Sequence, residues 1–219
     1  MHTLHNLVSG PLVWLAFIIF IGGSIYKLVT MAKEAKKKDH VVYEYWDGNY
    51  AFRSILHWLT PFGTVNWRKN PVLTTVTFAF HISLILVPIF LLAHVLLWKE
   101  SFDISWWYLP EAVADWMTLI VIFSCVFFAG RRMIRKDVKY LTSSSDYWIL
   151  AMVAAPFITG YWAHHYWPMH RIMYILHILS GEIMLAAIPF TRLSHMLYFV
   201  FTRGYIGSEF GAVRHARDW

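Results

Sequence analysis

Apolar residues along the chain gather into five long runs, and short charged or polar stretches separate them. The runs cover about 8–31, 72–98, 112–130, 147–162 and 169–201. A helix needs about 20 apolar residues to cross a bilayer, and each run is at or near that length. The pattern predicts an all-α integral membrane protein with five transmembrane helices, forming a single domain over residues 1–219.

The charged residues predict the orientation of these helices. Lys and Arg concentrate in residues 32–70, in 131–139 and in the tail, whereas residues 99–111 are acidic on balance. Because basic loops stay on the cytoplasmic side, we expect the N-terminus outside and the C-terminus inside. The same placement accounts for the net charge of +6, so no nucleic-acid partner is expected. With one cysteine, Cys125, the chain has no C-x-x-C-H motif for a c-type haem.

The long inner loop, about residues 32–70, contains a segment of mixed character. Residues 49–63, NYAFRSILHWLTPFG, alternate large apolar side chains with Arg53 and His57. This pattern predicts a short amphipathic helix on the inner membrane surface. Such a helix could lie on lipid or receive a partner subunit.

Four histidines fall inside apolar runs, which is unusual for a membrane protein. His81 and His94 lie on the second run, and His177 and His195 lie on the fifth. Neutral imidazole is a good axial ligand for haem iron, and helix bundles build such sites from facing helices. Depth in the membrane pairs His81 with His195 and His94 with His177. The sequence therefore predicts two stacked bis-histidine haems b in a haem-binding helix bundle, suited to electron transfer.

Helical phase supports this pairing on the fifth run but not, for an ideal helix, on the second. The eighteen residues between His177 and His195 correspond to nearly whole turns at about 100° per residue, so both would share a face. The thirteen residues between His81 and His94 leave them roughly 140° apart. Pro88 lies between these two and can kink the helix enough to realign them.

Other functions remain open from the residues alone. One is a single-haem anchor subunit in which His94 is structural. Another is a small proton-coupled transporter without haem, which would use Glu182, Arg192 and the histidines. A plain membrane anchor would leave these buried polar groups unexplained.

A family resemblance favours the cytochrome. The segment IPFTRLSHMLY, residues 188–198, resembles the gamma subunit of respiratory nitrate reductase. Its His195 lies eighteen residues after His177. The segment is also similar to the cytochrome b subunits of membrane redox complexes in sulfate-reducing bacteria. The segment FIIFIGGSIYKL, residues 17–28, is a looser match.

The resemblance implies a dihaem b-type cytochrome that exchanges electrons with a menaquinone pool in the bacterial cytoplasmic membrane. The expected partners are a cytoplasmic iron–sulfur subunit of the heterodisulfide-reductase type, a quinone and a periplasmic multihaem cytochrome c. We expect an electron-transfer subunit of an oxidoreductase complex, and the sequence leaves open whether the chain itself completes an active site.

Further polar residues lie near the expected haems. Arg192, one turn before His195, would pair with a haem propionate or reach the lipid headgroups instead. The resemblance implies a quinol pocket near the outer haem, where the candidate residues are Lys99, Glu100 and Asp115. His164, His165 and His170 cluster at the same end. They would serve as interfacial polar residues, as a proton-release route or as a docking point for a cytochrome.

Overall fold

The computed structural model describes residues 2–218, apart from the side chains of residues 2, 41 and 42. Within that part of the chain the regular structure is helical throughout, as the sequence predicts. The α-helices are α1 His2–Leu7, α2 Val13–Lys38, α3 Val41–Glu44, α4 Gly48–Leu59, α5 Val65–Lys69, α6 Pro71–Phe90, α7 Leu92–Phe102, α8 Glu111–Ile134, α9 Lys136–Tyr140, α10 Ser144–His164, α11 His170–Ala187 and α12 His195–Ser208. Short π-helical turns cover Val8–Leu12 and Glu209–Val213, and 3-10 turns cover Ile188–Phe190 and Arg192–Ser194.

Four helical stretches in the described residues are long and apolar enough to cross a membrane. They are Thr3–Lys38, Pro71–Phe102, Glu111–Ile134 and His170–Phe190. Composition and length therefore confirm a multi-pass membrane protein. The fourth apolar run of the sequence lies in α10, which is helical over 21 residues but is not among these four stretches.

The chain packs as two units. The first consists of Met1–Gly10 and Val76–Met184, and the second of Pro11–Thr75 and Leu185–Trp219. The single domain expected from the sequence stays a prediction.

The first unit is built around the contact between α8 and α10. Small and β-branched residues meet there, including Ala114, Val121 and Val153, and all three are buried. Their size lets two helices approach closely, as is usual between membrane helices. Phe80 of α6 packs edge-on against Phe128 of α8, with ring centroids 5.4 Å apart, so α6 also contacts α8.

The second unit is built around α12, which packs lengthwise on α4. Three glycines near the end of the chain, Gly204, Gly207 and Gly211, face this contact. A methyl group at Gly207 would overlap the Ser54 side chain, and one at Gly211 would overlap the ring of Tyr50. The absence of side chains on this stripe is therefore what allows the two helices to meet.

Polar contacts hold α12 in place at two further points, and a third contact ties α4 to Asp218. The Tyr205 hydroxyl donates to the carboxylate of Asp39, the residue that follows α2. This bond, with burial as a lesser cause, raises the pKa of Tyr205 to about 12. Ser208 Oγ accepts from the backbone N–H of Asp47 at 2.8 Å. Ser54 Oγ donates to Asp218 Oδ2 at 2.5 Å.

Two of the predicted spans are interrupted. The second is broken at Leu91, whose extended backbone (φ −69°, ψ 130°) separates α6 from α7. The break comes three residues after Pro88, the residue expected to realign the histidines.

The fifth span, predicted over about 169–201, is corrected by the structure. Its helix α11 ends at Ala187, and two 3-10 turns follow before α12 begins at His195. Pro189 has no N–H to continue the α-helical ladder, and the extended Thr191 (φ −117°, ψ −174°) caps the second turn through its side chain. The whole-turn relation between His177 and His195 therefore does not apply.

Candidate functional site

Two of the four membrane histidines lie side by side in the first unit. His94 stands in the first turn of α7 and His177 in the middle of α11. The centroids of their imidazole rings are 5.9 Å apart and the ring planes differ by 12°. The pair expected at the outer depth is thus close in space, although it comes from helices 83 positions apart in the sequence.

The spacing of this pair can be compared with what one metal atom between the rings requires. Taking about 2 Å per metal–imidazole bond and adding the distance from each nitrogen to its ring centre gives roughly 6 Å between centroids. The 5.9 Å between the ring centroids of His94 and His177 is close to that distance.

All four candidate histidines use the same ring nitrogen for a backbone hydrogen bond. Nδ1 of His81, His94, His177 and His195 lies 2.8 Å from the carbonyl oxygens of Thr77, Pro88, Pro156 and Arg192, respectively. A carbonyl only accepts, so Nδ1 carries the proton and the lone pair of the neutral ring is on Nε2. A second hydrogen bond of this kind orients metal-binding histidines and sets their tautomer. His57 differs, because its Nε2 faces the Gly63 carbonyl at 2.7 Å.

The interruption at Leu91 supplies the acceptor for His94. A helix end leaves carbonyls without intrahelical donors, and at the end of α6 three of them find other partners. Pro88 accepts from His94 Nδ1 at 2.8 Å, Ile89 from the Trp106 indole at 2.9 Å, and Phe90 from the backbone N–H of Leu109 at 2.8 Å. The broken helix is thereby satisfied, and His94 is oriented by the break itself.

A notch on the surface of α10, formed at Pro156 and Gly160, orients His177. Its Nδ1 reaches the Pro156 carbonyl across the helix contact, and Gly160, one turn further on, leaves room for the ring. A methyl group on Gly160 would stand 2.7 Å from Nδ1 and 2.8 Å from Cε1 of His177. Sequence reasoning missed both residues. The available signal was a proline followed four positions later by a glycine inside an apolar run.

The other two candidate ligands belong to different units. His81 is half-buried in α6 of the first unit, and its ring meets Phe80 edge-on at 5.1 Å. His195 is exposed at the start of α12 in the second unit. Arg192, the candidate propionate partner, lies in the 3-10 turn of that unit with an exposed side chain, and its carbonyl accepts from His195.

Residues proposed for the quinone form separate ion pairs in the first unit. Lys99 Nζ of α7 pairs at 2.5 Å with Asp103, the residue that follows the helix. Asp115 of α8 lies 3.3 Å from Nε2 of His165, the residue that follows α10, but the two make no hydrogen bond. Glu100 is exposed at the end of α7.

The neighbouring histidines of the first unit also have partners. His164 Nε2 is 2.9 Å from Glu111 Oε1, so the last residue of α10 and the residue after it contact two acidic residues that lie one turn apart on α8. The ring of His170 lies 5.4 Å from that of Tyr166.

One acidic group in the span α11 is only partly satisfied. Oε1 of Glu182 is buried and has no hydrogen-bond partner among the described residues. In the same part of the chain, no group of three or more His, Cys, Asp or Glu side chains is placed to hold a metal ion. Axial ligation of haem needs only two histidines.

The two segments that carry the family resemblance touch each other in the second unit. A methyl group on Gly23 of the GG pair in α2 would stand 2.9 Å from both Phe190 and Pro189. The glycine thus lets the IPF turn pack against the first span. This contact gives both segments a common structural role.

Comparison with known proteins shows the family to which the chain belongs. It is 35% identical over 215 residues to a protein of the sulfate reducer Nitratidesulfovibrio vulgaris strain Hildenborough, and the match covers 96% of this chain and 95% of that protein. The chain belongs to the same family as this protein, whose name states no function. No protein-family model and no solved structure matches the chain.

Proposed function

We propose that the chain is the b-type cytochrome subunit of a membrane-bound respiratory complex and binds two bis-histidine haems. His94 and His177 would hold the outer haem. The inner haem would be held by His81 and His195, a pairing that rests on the sequence and on the shared Nδ1 hydrogen bonds.

The observation that carries the proposal is the His94–His177 pair. Two imidazoles lie at the spacing that one iron atom between them requires, and each ring is oriented by a backbone carbonyl. The carbonyls of Pro88 and Pro156 hold the Nδ1 protons, so both Nε2 atoms present lone pairs without any loss of protons. A bound bis-histidine haem supplies one-electron exchange and offers no open position to a substrate.

The remaining residues define the surroundings of this exchange. Both histidines of the outer pair lie on stretches long and apolar enough to cross a membrane, so the pair would be placed in a largely apolar environment. Lys99, Glu100 and Asp115 are the candidates for a quinone site near the outer haem, and Arg192 is the candidate partner for a propionate of the inner one. We place five crossings in a bacterial cytoplasmic membrane, with the N-terminus outside.

In this arrangement electrons cross the membrane between two redox partners. One is a quinone, with menaquinone as the candidate, or a periplasmic multihaem cytochrome c. The other is a cytoplasmic iron–sulfur subunit. The support is the family resemblance of residues 188–198 and the presence of a relative in a sulfate reducer.

A proton-coupled transporter without haem is a second candidate. Glu182 favours it, because a buried carboxyl oxygen without a hydrogen-bond partner inside a span is typical of proton pathways. That protein would show no visible absorption.

Spectroscopy of the purified full chain tests the proposal. We expect a b-type α band in the reduced-minus-oxidised spectrum and two haems per polypeptide by haem quantitation. One haem per polypeptide would favour the single-haem anchor. A colourless protein purified from haem-replete cells contradicts the proposal and favours the transporter.

A further inference from the structure

The amphipathic helix α4 in the second unit presents an apolar face that is largely exposed among the described residues. Phe52, Leu56 and Leu59 are 62%, 48% and 55% exposed. Their spacing of four and three residues places them on one side of the helix. The small residues Ala51 and Ser54 are buried against α12, with only 5% and 0% of their surface exposed. The helix therefore buries its small side chains and exposes its large apolar ones.

Hydrogen bonds hold α4 at the level where the first span ends. The last turn of α2 carries Lys36, Lys37 and Lys38. Asp39 follows at once and accepts from Tyr205, and one turn further along α12 Ser208 binds the backbone of Asp47. Asp47 is the N-cap of α4, accepting from the backbone N–H groups of residues 49 and 50. The apolar part of α2 ends near Met31, so we expect its lysine-rich last turn, and with it the start of α4, at the level of the lipid headgroups.

Charge and aromatic residues at this level fit a lipid headgroup layer. Residues 32–70 contain seven Lys or Arg against four Asp or Glu. Arg53 is exposed on α4, about 100° round the helix from Phe52. Just before α4, the exposed side chains Tyr43, Tyr45 and Trp46 are of the type enriched at membrane–water interfaces. Basic and aromatic residues beside an apolar helix face favour a surface of anionic lipid.

We propose that α4 is an interfacial helix whose Phe52–Leu56–Leu59 face inserts among anionic phospholipids on the basic side of the membrane. The inference rests on the membrane location of the chain and is independent of haem. The helix would anchor the second unit to the bilayer, and through α12 it would anchor the segment that carries His195.

Site-directed spin labelling of the full chain in lipid nanodiscs tests this proposal. Single cysteines replace Phe52 or Leu56 in a Cys125→Ala background, and Asp137→Cys, at a polar side chain that is 61% exposed, serves as the control. Collision with oxygen reports lipid, and collision with a water-soluble nickel chelate reports solvent. We expect labels at 52 and 56 to be several-fold more accessible to oxygen than to nickel relative to the control label.

Three results would overturn the proposal. Labels at 52 and 56 as open to nickel as the control would leave the face in water. Protection from both reagents would mean that protein, such as a second copy of the chain, covers it. We expect the labels to lie deeper in phosphatidylcholine discs that contain phosphatidylglycerol than in discs without it, and this increase in depth should be smaller in Arg53→Gln. Equal label depth in the two kinds of disc would remove the role of anionic lipid.

Discussion

Two helix interruptions, one in each packing unit, stand shortly before predicted haem ligands but are built differently. In the first unit, α6 ends at Phe90 and His94 follows four residues later, bonded to the Pro88 carbonyl that the break exposes. In the second unit, two 3-10 turns precede His195, which bonds to the Arg192 carbonyl within its own turn. The first interruption orients a histidine through a freed acceptor, and the second is held by packing against Gly23.

The difference shows what a broken membrane helix needs. Every carbonyl released in the bilayer must find a donor. At the first break the ligand itself, an indole and a backbone N–H meet that need. At the second the chain stays in tighter helical turns, so few carbonyls are released, and glycine contact fixes the position of the turns. The first break should therefore respond most to loss of polar groups, and the second to added volume.

The largest expected effect is loss of a haem from ligand variants beside the first break. His94→Leu and His177→Leu should each reduce the haem content from two per chain to one, since a bis-histidine haem needs both rings. The double variant should lose no more than either single variant. Pyridine haemochrome assay measures this, with His57→Gln as a control that keeps both haems. If each single variant lost one haem and the double variant lost both, His94 and His177 would bind different haems, which would contradict their pairing.

The next effect concerns the notch that holds His177. Gly160→Ala places a methyl group within 2.8 Å of the imidazole, and overpacking of this kind costs about 1–3 kcal/mol. We also expect a shift in the electron paramagnetic resonance signal of one haem, because the ring must turn. Gly130→Ala, where a methyl group meets nothing within 4 Å, is the control and should leave both the melting temperature and the spectrum nearly unchanged. A normal haem signal in Gly160→Ala would contradict the role of the notch.

Added volume at the second interruption should have a smaller cost. Gly23→Ala brings a methyl group to 2.9 Å from Phe190 Cζ and from Pro189 Cβ. The tip of the Phe190 ring can move away but Pro189 Cβ cannot, so we expect about 1 kcal/mol of destabilisation. Gly22→Ala is a matched control, since its methyl group has nothing within 4 Å. Thermal unfolding in detergent distinguishes the two, and equal melting temperatures would show that the turn does not depend on Gly23.

The smallest effect is that of the bond that ties α12 to the end of α2. Tyr205→Phe removes the hydrogen bond to Asp39, which is worth about 1 kcal/mol. The Asp39 bond raises the pKa of Tyr205 to about 12, so the stabilisation is complete below the ordinary tyrosine pKa of about 10. It is lost as the pH rises through about 12.

Unfolding in denaturant at neutral pH and at alkaline pH measures this difference. The gap between the native chain and Tyr205→Phe should narrow from pH 10 upward. Tyr140→Phe, at a residue that is 90% exposed, should show no gap at any pH. A gap that persists unchanged above the pKa of Tyr205 would argue against the assigned bond.

Much of the candidate site was readable in the sequence, and the missing parts have a common cause. His94 and His177 were paired from depth alone, and their rings lie close together. The acceptors Pro88 and Pro156 were not foreseen, because backbone carbonyls carry no signature in the sequence. The notch at Gly160 was missed because a glycine in an apolar run usually indicates only helix packing.

The fifth span illustrates the limit of periodicity. Its apolar run from 169 to 201 has no charge before Arg192 apart from Glu182 and Arg171, so the pattern favours one helix. Pro189 is a local signal for an interruption, because it has no N–H for the helical ladder, but the position of the Ile188–Phe190 turn also reflects its packing against Gly23, 166 positions earlier than Pro189. A partner so distant in sequence cannot be found by counting turns.

The sequence by itself determined that this is an all-helical membrane protein and that His81, His94 and His177 lie on its long apolar helices, because those features follow from composition and local spacing. Only the tertiary structure decided where the spans break, which carbonyls orient the imidazoles and how closely the helices approach. Those features arise between residues far apart in the chain. There, a glycine without a side chain allows a close approach, or a carbonyl that has lost its helical donor binds another group.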